Sequence, residues 1–194
     1  MFFRSARSEA IPVEAAALLV TAGALVELSA TDAREIAAYM SLHKVAMGDV
    51  VIREGDSQHN DFMALVLDGE VTVEHSLDPT HEAMVVSVLG PGSLIGELGL
   101  IDDSPRSATC IASTALTLAI LQRDALMQLM KDRPAVAARL LLAMNKRIAD
   151  HLREVNRKLT SFSQLSKALE QELDAVHSVN RRLLDRIAPT QTVE

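Results

Sequence analysis

Aromatic residues are scarce, making up 3% of the 194 residues, and tryptophan is absent. A core must therefore be assembled from Leu, Val, Ile, Ala and Met. Hydrophobic residues make up 48% of the chain, enough for one domain of ordinary size plus an extension, or for two small domains. The single cysteine, Cys110, excludes an intramolecular disulfide and suits a reducing cytosol. It stands in Ala-Thr-Cys-Ile-Ala, a β-prone run, and reads as a small buried hydrophobe rather than a reactive thiol. Long apolar runs are missing too. The stretch from Ala15 to Val20 is too short for a bilayer span or a signal core, so a cytoplasmic protein without membrane insertion is expected. Positive charge is thin over most of the chain: residues 1–132 hold 8 basic and 19 acidic side chains, and residues 133–194 hold 11 and 7. An acidic body with a mildly basic tail lacks the clustered charge of a DNA-binding surface.

Catalytic and metal chemistry lack their usual signatures. The six histidines, His43, His59, His75, His81, His151 and His177, show no metal-ligand spacing. His75 and His81 would at most face each other across a hairpin. Gly90-Pro91-Gly92 lacks the Gly-Lys-Ser/Thr ending of a Walker loop. Asp102-Asp103 reads as a solvated turn, and no nucleophile–base arrangement presents itself. Neither an enzyme nor a metal or cofactor is expected.

What is present falls into four stretches. Residues 12–43 carry apolar residues at helical spacing, with a cap at Ser29 or Thr31 before Asp32. Residues 44–122 are short β-prone runs punctuated by glycine: Val50–Arg53, Phe62–Leu67, Val71–His75, Met84–Leu89, Ala108–Ile111 and Leu116–Leu121. Asp68-Gly69 is a hairpin signal between two of them. Many short strands with regular turns argue for a sandwich or barrel. From Arg123 the pattern turns helical, with Pro134 at a helix start. A stripe then runs through Ile148, Leu152, Val155, Leu159, Phe162, Ser166, Leu169, Leu173, Val176, Asn180, Leu183 and Ile187 in alternating steps of four and three. That is the period of a left-handed coiled coil, and polar residues at a positions (Asn145, Ser166, Asn180) suit a fixed register. The expectation is a parallel homodimer through residues 141–187, about 70 Å long at 1.5 Å per residue. The alternative is a helix folded back on its own domain. Leu165, Val179 and Leu184 flank the seam and would widen it for a tetramer or a partner helix.

The segment Leu94 to Thr109 carries the functional signal. Glu97 and Arg106 stand nine residues apart in an otherwise apolar stretch, with Gly96 and Gly99 flanking the acid. An Arg fork meets phosphate oxygens bidentately, a carboxylate accepts from a sugar hydroxyl, and glycine lets backbone amides approach an anion. The pair suits a ligand with a phosphate and a ribose; the plainer reading is a structural ion pair. The run Gly96, Glu97, Leu98, Leu100, Pro105, Arg106, Ser107, Ala108 resembles the phosphate-binding cassette of the cyclic nucleotide-binding domain family. Ile95 and Gly99 depart from the family's aromatic and alanine. Bacterial members often carry Ile-Gly-Glu-Leu-Gly-Leu, which stands here.

The resemblance covers roughly residues 25–160. It implies an α+β fold: a jelly-roll-like β-roll with N-terminal helices and a long C-terminal coiled-coil helix. The domains would be an N-terminal helical segment (1–24), the binding domain (25–133), a dimerisation helix (134–188) and a disordered tail (189–194). It also implies that Glu97 takes the ribose 2′-hydroxyl, and that Arg106 pairs with the cyclic phosphate, helped by Gly96, Ser107 and the amides of Leu98 and Ala108. In bacterial activators a Thr-Ser pair on the dimer helix holds the adenine. Its counterpart here is His151-Leu152, making His151 a base contact or merely a flanking coiled-coil position. Cyclic AMP is the default ligand, with cyclic GMP and cyclic di-GMP open. The stripe uses the residues that a helix-turn-helix would need, so output through an unknown protein partner, without direct DNA binding, is expected. The alternatives are a ligand-free adaptor and a regulator acting through a separate effector.

Overall fold

The computed structural model describes residues 11–75 and 84–187, with side chains from 13 to 75 and from 85 to 183. The segment 1–10, His81, the side chain of Leu184 and the expected tail 189–194 lie outside the described residues. Two helices open the chain, α1 (Ile11–Leu19) and α2 (Ala30–Ala37). Ser29 caps α2, accepting from the amide of Asp32, which satisfies one of the first-turn donors. Eight strands follow: β1 (Ser41–Val45), β2 (Val50–Ile52), β3 (Phe62–Asp68), β4 (Val71–His75), β5 (Met84–Leu89), β6 (Leu94–Ile95), β7 (Thr109–Ala112) and β8 (Leu116–Gln122). A short helix, α3 (Glu97–Asp102), separates β6 from β7. The described residues end in α4 (Arg123–Asp132) and α5 (Pro134–Ile187).

The strands form two antiparallel four-stranded sheets, in the orders β1-β8-β3-β6 and β2-β7-β4-β5. Alternation on β3 divides the interior. Phe62, Ala64 and Val66 face the second sheet with Ile52, Val71, Cys110, Leu118 and Ile120. Met63, Leu65 and Leu67 face the helices and pack with Leu19, Leu25, Ile36, Leu129, Leu140 and Met144. The architecture is thus a helical layer on a two-sheet roll, the α+β arrangement that the resemblance implies.

Three expectations need correction. Residues 41–43 are strand, not helix: β1 turns His43 and Val45 inward, and a histidine at a buried position hides the period-two pattern. β6 went unread because it is two residues long inside the cassette. Asp68-Gly69 is not a hairpin, since β3 and β4 lie in different sheets. Gly69 does take a left-handed φ of +89°, but the turn carries the chain from one sheet to the other.

The chain divides into two compact units, residues 1–147 and 148–194, a division that falls inside α5. The root of α5 is buried in the helical layer through Val136, Ala137, Leu140, Ala143 and Met144. Polar ties reinforce it: Arg139 donates bidentately to the buried Asp32 at 2.6 and 2.8 Å, and Lys146 pairs with Glu27. From 151 to 183 every residue of the second unit is exposed. No described helix is long and apolar enough to cross a membrane.

Candidate functional site

The site is built around Arg106. Two backbone bonds fix it against the turn after β2: its carbonyl accepts from the amide of Gly55 (2.8 Å) and its amide donates to the carbonyl of Asp56 (3.0 Å). The side chain then runs inward and is 4% exposed. Its guanidinium sits 4.4 Å from the centroid of the Phe62 ring. Nε and Nη2 donate to the carbonyl of His59 (3.1 and 3.0 Å), Nη2 to that of Phe62 (2.9 Å), and Nη1 to that of Gly96 (2.7 Å). All four bonds reach neutral acceptors. Burial lowers the pKa of this arginine from its ordinary value, and the field of Asp61, Asp56 and Glu97 works in the opposite direction. Arginine stays charged even so, and the result is a buried cation.

Gly96 and Gly99 are there for space. Gly96 enters α3 with φ +75°, and a Cβ on it would lie 2.7 Å from Nη1 of Arg106. A Cβ on Gly99 would lie 2.9 Å from the same nitrogen and 2.9 Å from the carbonyl oxygen of Asn60. So α3 rests directly on the guanidinium, and glycine at 99 is required where the family resemblance led one to look for alanine. Glu97 is the first residue of α3, and its side chain is half-buried. Leu98 is 41% exposed, Ser107 is exposed and Ala108 half-buried. Cys110 lies under the site, and burial pushes its thiol up to about 12, consistent with an inert packing residue.

Glu97 and Arg106 do not pair with each other. Glu97 faces Arg147 on α5, with Oε1 3.8 Å from Nε. Arg147 also donates to the carbonyls of Gly23 (2.5 Å) and, at 3.5 Å, Leu94. A residue 50 positions away in sequence thus joins the cassette acid. Sequence reasoning missed it, because in the heptad pattern Arg147 is simply a solvent-facing charge. The structure also brings in Asn60, 8% exposed, whose side-chain amide donates to the carbonyls of Asp103 (2.7 Å) and Ser104 (3.1 Å). Asp103 is not merely solvated: its carboxylate pairs with Arg123 at 2.5 Å. His151 belongs to the second unit, where it is exposed on α5.

Residues 42–133 match the cyclic nucleotide-binding domain family. A solved cyclic nucleotide-binding domain from Methylobacillus flagellatus is 30% identical, covering 73% of this chain and 78% of that one, with a TM-score of 0.62. The chain belongs to the cyclic nucleotide-binding domain family. Similar too is the N-terminal domain of a Streptomyces coelicolor A3(2) transcriptional regulator, at 34% identity over 72% of this chain and 94% of that one, TM-score 0.60. A CRP-like cAMP-activated global transcriptional regulator of Mycobacterium tuberculosis is 28% identical over 59% of this chain and 48% of its own length. The chain spans about half the length of that curated relative. Glu97 and Arg106 both lie in the matched region, which holds β2 to α4 entire.

Proposed function

We propose that the chain is a non-enzymatic cytoplasmic sensor of a cyclic nucleotide, most simply cyclic AMP, which works as a coiled-coil homodimer and signals through protein partners. The observation that carries this reading is the buried Arg106 guanidinium, whose hydrogen bonds all reach neutral carbonyls and which has no directly paired carboxylate among the described residues. Burying an unpaired charge is costly, and a cyclic phosphate monoanion would neutralise it through a charge-assisted contact. Glu97, 20–27% exposed together with Arg147, stands ready for a sugar hydroxyl. The name of the mycobacterial relative favours cyclic AMP.

A ribose hydroxyl on Glu97 would compete with Arg147, and so loosen or re-form a tie between the cassette and the root of α5. Such a switch can move no further than the ligand's preference for one arrangement over the other. The heptad stripe would bring two chains together, and Leu165 and Val179 beside it would face a partner. One observation favours the ligand-free adaptor instead: four of the arginine's five donors already have protein acceptors. Calorimetric titration with cyclic AMP, cyclic GMP and cyclic di-GMP separates the two. Micromolar or tighter binding of one of them is the expected result; no heat with any, in nucleotide-free protein, would favour the adaptor.

A further inference from the structure

Arg123 is the first residue of α4 and lies outside the cassette pattern, yet it grips the far end of the helix that carries Glu97. Its Nη2 donates to the carbonyl of Gly99 at 2.7 Å and pairs with Oδ1 of Asp103 at 2.5 Å. Its own amide donates to the carbonyl of Asp61 at 2.7 Å, beside the Asn60 that bonds the carbonyls of Asp103 and Ser104. Both ends of α3 need outside help. It has six residues, far below the length at which a helix persists alone, and Gly96 supplies no capping side chain. It ends in Asp103 at φ +57°, a left-handed conformation uncommon for a residue with a Cβ. A cation on the last carbonyls answers the orphan acceptors and the negative end of the helix together.

Resting on the proposed nucleotide-binding reading, we infer that Arg123 is a positioning residue for the ligand. By clamping Gly99 and Asp103 it sets where α3 lies on Arg106, and so the separation of the ribose acceptor from the phosphate donor. Because Arg123 also begins α4, any ligand-driven shift of α3 is delivered to the first residue of that helix. Asp103 serves as the other half of the clamp.

The test is a double-mutant cycle in the full chain, comparing wild type, Arg123→Met, Asp103→Asn and the double variant, with Arg123→Lys as the charge-conserving variant. Cyclic AMP affinity is measured by calorimetry, and exchange of the amides of residues 97–103 by hydrogen–deuterium mass spectrometry without ligand. Expected are about a tenfold loss of affinity for Arg123→Met, a similar loss for the double variant, partial rescue by lysine and faster exchange in α3. A purely structural residue would lower the melting temperature and leave the folded protein's affinity unchanged. Affinity within twofold of wild type in Arg123→Met, or in Asp103→Asn and Arg123→Lys alike should the methionine variant fail to fold, overturns the inference. Wild-type protein that binds none of the three nucleotides overturns the reading beneath it, and the inference with it.

Discussion

Leu65, Leu118, Leu121 and Leu140 are fully buried, whereas Leu152, Leu159, Leu169 and Leu173 expose between 56% and 60% of their surface. The first set lies in the roll and its helical layer, where two sheets and the helices cover one another's apolar faces. The second lies on one helix in heptad order, with nothing of its own unit to cover it. Burying a leucine is worth about 1.5–3 kcal/mol, so one chain satisfies its roll and leaves the helix in deficit. The roll closes its apolar faces within one chain, whereas those of the helix would be closed only by the proposed coiled coil.

That contrast can be broken from either side. The largest effect is expected from Leu159→Lys with Leu173→Lys, which places charges at two a positions of the seam. Light scattering should show the mass fall from dimer to monomer while the thermal transition of the roll is retained. A dimer that survives would refute the seam. Gly96→Ala should do the reverse. Its Cβ would meet Nη1 of Arg106 at 2.7 Å and the Ile52 side chain at 2.9 Å on a backbone at φ +75°, for a cost of about 1–3 kcal/mol. The melting temperature should drop by about 2–4 °C for each kcal/mol, with the mass unchanged.

A smaller effect sharpens the account at the root of α5. The Arg139 guanidinium holds the carboxyl of Asp32 below its ordinary 3.8, with the Ser29 hydroxyl adding to it. A carboxylate depressed in the folded state contributes its full stability above the unfolded value and loses it as pH falls through the folded one. Asp32→Asn should therefore cost about 1–2 kcal/mol near neutral pH, Arg139 being half exposed, and the gap from wild type should narrow as pH falls below roughly 4 toward the still lower folded value. Melting curves from pH 7 down to about pH 2 check this; a gap that does not narrow as pH falls below about 4 would contradict the ion pair.

The cassette was legible because its chemistry is local: Gly96, Glu97 and Arg106 sit in one short segment whose glycines and charges have few other uses. The stripe on α5 was legible because a heptad repeats. What escaped depends on topology. Arg147, Asn60, Phe62 and Arg123 reach the site across 44 or more positions or through an adjoining element, and each alone is an ordinary surface charge, amide or core aromatic. β1 escaped because its inward residue is His43, and the Asp68-Gly69 turn misled because the conformation a glycine permits does not say which strand comes next to which. The order of the two sheets is set by burial on both faces of β3, a property of the assembled layers.

The buried Arg106 guanidinium, bonded only to neutral carbonyls, is proposed to be there for a cyclic phosphate. The most direct test of that proposal is calorimetric titration of wild type and Arg106→Ala with cyclic AMP, each checked for a cooperative melt. Losing charge-assisted contacts worth about 1.5–3 kcal/mol each should weaken binding at least about tenfold. A folded Arg106→Ala protein that binds cyclic AMP as tightly as wild type would contradict it.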